Sequence, residues 1–168
     1  MSITMYQASV PVFTRFLTTL TTILEKAAAH AEAKKIDPTV LINARLYPDM
    51  LPLTRQIYIA TDHAKGCVAR LAGTEPPRYD DIEVTFPDLV ARIKKTLAFI
   101  ATFQPQQIDG SEEREIRLKL GKTEINTRGL PYLLNIATPN IYFHIVTAYA
   151  ILRHNGVEIG KLDFLGQD

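Results

Sequence analysis

The sequence predicts an all-α fold, a four-helix bundle with one small β-hairpin before the last helix. Three observations predict it. Four segments carry apolar residues at alternating three- and four-residue spacing, the stripe of a helix that faces a core. One short stretch alternates apolar and charged residues with a period of two. Helix start and stop residues bracket most of these segments.

The first helix is read from Ile3 to about Glu32, on Val10, Phe13, Leu17, Leu20 and Leu24, with Ala27, Ala28 and Ala31 continuing the stripe. Pro11 lies inside it and must either kink the helix or mark its regular start. Asp37 before Pro38 predicts a capped helical turn through Leu41. In A-R-L-Y-P-D-M-L-P-L, Asp49 is the expected cap of a second helix over Met50–Leu71 that ends at Gly73, with Leu53, Ile57, Ala60, Ala64, Cys67 and Leu71 inward. Arg45 either binds an anion or braces this loop through Asp49.

Thr85-Phe86-Pro87-Asp88 is a start signal for a third helix. Phe86, Leu89, Ile93, Leu97 and Ile100 form its buried face, and it should fade near Phe103. Arg114–Leu120 pairs with Thr123–Thr127 in the expected hairpin, turning at Gly121-Lys122. The last helix is read from Leu130 to His154, kinked or divided at Pro139 and stopped by Asn155-Gly156. Ile159, Leu162 and Phe164 should fold the tail back onto the bundle.

Composition narrows the function. The chain has 168 residues, which predicts one domain spanning 1–168 with a self-sufficient core. The net charge is +1, against the strong basic excess of a general nucleic-acid binder. No apolar run approaches a membrane span, and M-S-I-T-M-Y-Q lacks the features of a signal peptide. The single Cys67 suits a reducing compartment, so a cytoplasmic protein is expected; on an apolar stripe it is a core thiol rather than a nucleophile.

Metal-binding signatures are sparse. The histidines are His30, His63, His144 and His154, with no H-x-x-x-H, H-E-x-x-H or C-x-x-C pattern. His144 and His154 would lie about 15 Å apart along one helix, too far to share an ion. No nucleophile elbow or phosphate loop is present. Asp62 should pair with Lys65 or Arg55. Gln56, His63 and Arg70 recur at seven-residue spacing. They line one helix face, as either the wall of a polar pocket or the boundary between core and solvent. Asn140 and His144 share a face of the last helix.

Three stretches, A-R-L-Y-P-D-M-L-P-L-T-R-Q, A-T-D-H-A-K-G-C-V-A-R-L-A-G and P-N-I-Y-F-H-I-V-T-A-Y-A-I-L-R-H-N-G-V-E-I-G-K-L-D-F-L-G, resemble an uncharacterised bacterial domain-of-unknown-function family. That family belongs to the DinB/YfiT-like metalloenzyme superfamily. The resemblance spans essentially the whole chain and implies a DinB-like four-helix bundle, usually a homodimer. Relatives hold a divalent metal with one histidine from the second helix and an H-x-x-x-H pair from the last, followed by Leu-Arg and a glycine. Some use it for thiol-dependent chemistry.

By position, Leu152-Arg153 resembles the Leu-Arg pair, which sets His144 at the third ligand position and Asn140 at the second. Gln56 matches the second-helix ligand. Two of three ligands are then amides, poor donors for zinc or nickel. His63 is an alternative ligand, but about 10 Å along the axis separates it from Gln56.

The resemblance therefore implies a degenerate metal site with no tightly bound zinc or nickel, and a polar pocket of Gln56, His63, Asn140 and His144 that takes a small molecule. His144 is the group best placed for acid/base chemistry. The competing expectations are a divalent-metal-dependent enzyme of thiol-transferase or hydrolase type, and a structural or stress-associated dimer without an active site.

Overall fold

The computed structural model describes residues 2–166, with Leu120 described by its backbone alone. Helix α1 spans Val10–Lys34. Pro11 occupies its first turn and so marks the start rather than a kink, where its missing N–H costs nothing. Phe13, Leu17, Leu20, Leu24, Ala27 and Ala31 are fully buried. A short helix α2, Pro38–Ile42, follows, and Asp37 caps it by accepting the Thr39 N–H at 2.9 Å.

Helix α3 runs Leu53–Leu71, three residues shorter at its start than the sequence predicts. Asp49 does not cap it. Pro52 holds the N-cap position without a side-chain bond, and the Leu53 N–H is instead satisfied by the Ala44 carbonyl at 2.9 Å. Arg45 does not brace Asp49 either; it donates to the Pro48 carbonyl at 3.3 Å. At the far end Gly73 takes φ +74°, and the Thr74 N–H returns to the Ala69 carbonyl, the left-handed helix stop that glycine permits.

Helix α4, Phe86–Ile100, begins with the expected capping box. The Thr85 hydroxyl accepts the Asp88 N–H at 3.2 Å, and the Asp88 carboxylate accepts the Thr85 N–H at 3.1 Å. Phe86, Leu89, Ile93 and Ile100 are buried as predicted. Residues after Phe103 form a further short helix α5, Pro105–Ile108, which the sequence pattern does not announce. Its one buried side chain, Ile108, is too little for a periodic signal.

Strands β1 (Glu115–Leu120) and β2 (Thr123–Arg128) pair antiparallel, with Glu115 opposite Arg128 and Leu120 opposite Thr123. Gly121 opens the two-residue turn at φ +59°, a conformation that favours glycine. Ile116 is buried and Leu118 half-buried, so this face of the ribbon lies toward the helices.

The last helical region is continuous, but it is built in three parts. Helix α6 covers Gly129–Tyr132, Leu133–Ala137 form a π-helical turn, and helix α7 runs Thr138–His154. Pro139 has no N–H for the carbonyl four residues before it, and the wider turn sits immediately upstream of it. Asn155 and Gly156 end α7 as expected. In the tail Val157 and Ile159 are buried, and Phe164 packs on Phe16 from the short helix α8, Lys161–Leu165. Leu162, expected to pack inward, is 66% exposed, because α8 turns only its Phe164 side toward α1.

The four long helices close a ring. Helix α3 packs most extensively on α7 and also on α4, while α1 packs on α4 and α7 from the opposite side. Among the described residues, no helix is long and apolar enough to cross a membrane.

Candidate functional site

Gln56 stands in the first turn of α3, buried against α7. Its carboxamide nitrogen donates to the Leu51 carbonyl at 2.9 Å, which turns the amide oxygen toward His144, 2.7 Å from Nδ1. An amide oxygen only accepts, so His144 Nδ1 must carry the proton and donate. The ring's remaining nitrogen, Nε2, is then an acceptor without a protein partner among the described residues. The His63 ring lies nearly parallel to His144, at 16° and 6.2 Å between centroids. Thus Gln56 and His63, two turns apart on α3, meet through a third side chain.

Asn140, one turn before His144, spends its amide nitrogen on the Ile136 carbonyl at 2.6 Å. His63, Asn140 and His144 face an open cavity of about 520 Å³ that the hairpin residues Leu118 and Lys119 line from the other side. Gln56 does not line this cavity; it sits behind His144 and fixes the ring. His30 and His154 lie elsewhere, His154 exposed at the end of α7. Cys67 is a fully buried thiol whose pKa burial pushes up, as a core position requires.

A model of the family "Domain of unknown function (DUF1993)" matches residues 5–165. The chain belongs to the DUF1993 family. The crystal structure of a DinB family member protein from Shewanella denitrificans is similar to it, with 41% identity and a TM-score of 0.89 over 97% of this chain and 92% of that one. No curated protein matches.

The donor set of this DUF1993 chain does not fit zinc or nickel. Gln56 and Asn140 offer neutral amides already engaged in hydrogen bonds, which leaves His144 Nε2 as the single imidazole donor of the three family positions. Among the described residues no three His, Cys, Asp or Glu side chains gather as a metal would need.

Sequence reasoning missed Arg92. It is buried on α4 and ties the loop before that helix to α3. Its Nε donates to the Thr61 hydroxyl at 2.9 Å; its terminal nitrogens reach Asp62 (3.1 Å), Asp81 (3.2 Å), Glu83 (3.1 Å) and the Asp80 carbonyl (2.9 Å). The available signal was position: Arg92 follows Leu89 by three and precedes Ile93 and Thr96, so it falls on the inward face. Asp62 pairs with Lys65 as expected, and with Arg92, whereas Arg55 goes to Asp81.

Burial lowers the pKa of both pocket histidines to about 4. For His63 the charges of His144, Arg70 and Lys65 add to that effect and Asp62 opposes it; Lys119 faces the same cavity from the hairpin. The folded protein therefore binds fewer protons than the unfolded chain between pH 6.5 and about 4. This stability is fully present above pH 6.5 and is lost as pH falls toward 4. Urea unfolding of the protein should show stability falling across that window, by up to about 3 kcal/mol for each histidine, and His63→Gln should flatten part of the slope. An identical slope in the variant would contradict the assignment.

Proposed function

We propose that this DUF1993 protein binds a small polar molecule in the cavity between α3, α7 and the hairpin, with His144 Nε2 accepting a hydrogen bond from it. The hydrogen bond from His144 Nδ1 to Gln56 carries the reading. It commits a buried amide to holding one imidazole in one tautomer beside an open volume, an expense that a purely structural bundle would avoid by filling the space with apolar side chains. Binding is favoured over proton-transfer catalysis because a base works best with a pKa near the operating pH, and that of His144 lies at about 4.

Three probes of contrasting charge test this: malate, its diamide malamide, and ethanolamine. Each can donate a hydrogen bond. At least one should shift the His144 ring nitrogen resonances saturably, and His144→Gln should abolish the binding heat of that probe in calorimetry. No saturable shift with any of the three would overturn the reading. So would stoichiometric zinc in tag-free protein that is lost in His144→Ala.

A further inference from the structure

We infer that the molecule bound in this cavity carries a carboxylate or phosphate, seated on Arg70 with Lys119 beside it, and a hydrogen-bond donor that reaches His144. This rests on the binding reading above and names the ligand class. Arg70 is half-buried on α3 and lines the cavity with Lys119. Among the described residues, its guanidinium makes one hydrogen bond, to the Tyr132 hydroxyl at 3.1 Å, and no carboxylate comes within ion-pairing distance.

Its neighbours are treated differently. Arg55 has Asp81 at 2.5 Å, and Lys65 has Asp62 at 2.6 Å. Asp62, the one acid lining the cavity, is thus already shared between Lys65 and Arg92. Tyr132 cannot supply the missing charge, because burial pushes its pKa up to about 12 and it stays a neutral phenol. Lys119 forms no ion pair among the described residues either. Arg70 is therefore a cation on the cavity wall that no protein acid answers, and Lys119, which stands opposite Glu124 across the ribbon, adds positive charge at the rim.

The position of Arg70 is also provided for. A Cβ on Gly66 would sit 2.5 Å from Arg70 Nη1, so a residue with no side chain lets the guanidinium lie along α3. Glycine inside a helix costs about 1 kcal/mol relative to alanine. A half-buried guanidinium with free N–H groups is a fork for a carboxylate or a phosphate, and the desolvation it has undergone is recovered when an anion docks.

The test compares malate and glycerol phosphate with malamide, by calorimetry and by the His144 resonances. One or both anions should bind at least about tenfold tighter than malamide, the value of a charge-assisted pair; which anion wins tells carboxylate from phosphate. Arg70→Gln should bring malate and malamide to within about twofold, while Arg70→Lys keeps part of the difference. Lys119 is exposed, so Lys119→Gln is safe for the fold and should weaken only the anions. Malamide or ethanolamine binding as tightly as the anions would overturn the charge assignment and leave the binding reading standing. An anion preference untouched by Arg70→Gln and Lys119→Gln would also overturn it. No response to any probe would remove both.

Discussion

Arg92→Met is expected to destabilise the protein by about 3 kcal/mol or more, the cost of removing one partner from a buried ion network. The guanidinium is 1% exposed and lies over the ring of Tyr58 at 4.5 Å. Its loss leaves three carboxylates, Asp62, Asp81 and Glu83, facing one another without their common cation. Asp62 and Asp81 are partly exposed and regain water; Glu83, 16% exposed, does so less easily. The backbone suffers as well. The Asp80 carbonyl loses its donor, and the Tyr58 hydroxyl, which donates to the Glu83 carbonyl, loses the cation over its ring. Urea unfolding measures the total, and amide exchange over residues 80–85 should rise before the helices open. Arg92→Lys keeps a charge but cannot span the same acceptors, so it should recover only part of the loss. A change under about 1 kcal/mol in Arg92→Met would show that the network merely decorates the surface.

Such a residue explains which features could be read from the sequence. The helices with a long apolar period were legible, and so were the Asp37 and Thr85 caps and the Gly73 stop, because each depends on residues within a turn of one another. The start of α3 was misread because its orphan N–H groups are served by Ala44 and not by the nearby acid Asp49. The π turn lies just before Pro139, and the sequence marks the proline but not the turn. For the pocket, the positional match to the family picked out Gln56 and His144, which are 88 residues apart in sequence and which no periodicity could join. Axial spacing along α3 sets Gln56 and His63 two turns apart but takes no account of α7, whose His144 bonds to Gln56 and stacks beside His63. Arg70 was placed on the right face, but its lack of an acid partner is a property of the folded surroundings. The alternating pattern gives the hairpin and its turn; that Lys119 lines the cavity appears only once the ribbon is laid against α3.

Gly129→Ala should be as damaging as the loss of Arg92, for a steric reason. A Cβ at Gly129 would stand 1.9 Å from the Ser111 carbonyl oxygen and 3.0 Å from its carbon. Gly129 is not in a left-handed conformation, so the cost comes from contact and not from backbone angle. The obstacle is main chain and cannot rotate away. The same junction carries the Leu130 N–H to Glu112 carbonyl bond at 3.0 Å and the Arg114 N–H to Ser111 carbonyl bond at 3.0 Å. Relieving the clash must part these segments, where the hairpin enters the last helix, and so shift the ribbon that brings Lys119 to the cavity. Overpacking of this kind costs about 1–3 kcal/mol, and more where backbone must move, so a loss near 3 kcal/mol is expected. Gly160→Ala is the control: nothing lies within 4 Å of its Cβ position, and a change within about 0.5 kcal/mol is expected. Equal urea midpoints for the two variants would refute the close approach at Gly129. If Gly129→Ala stays folded, malate affinity should fall while the Gln56–His144 bond, held by α3 and α7, keeps its resonances, because the hairpin supplies Lys119 at the rim of the cavity and the helices supply the imidazole.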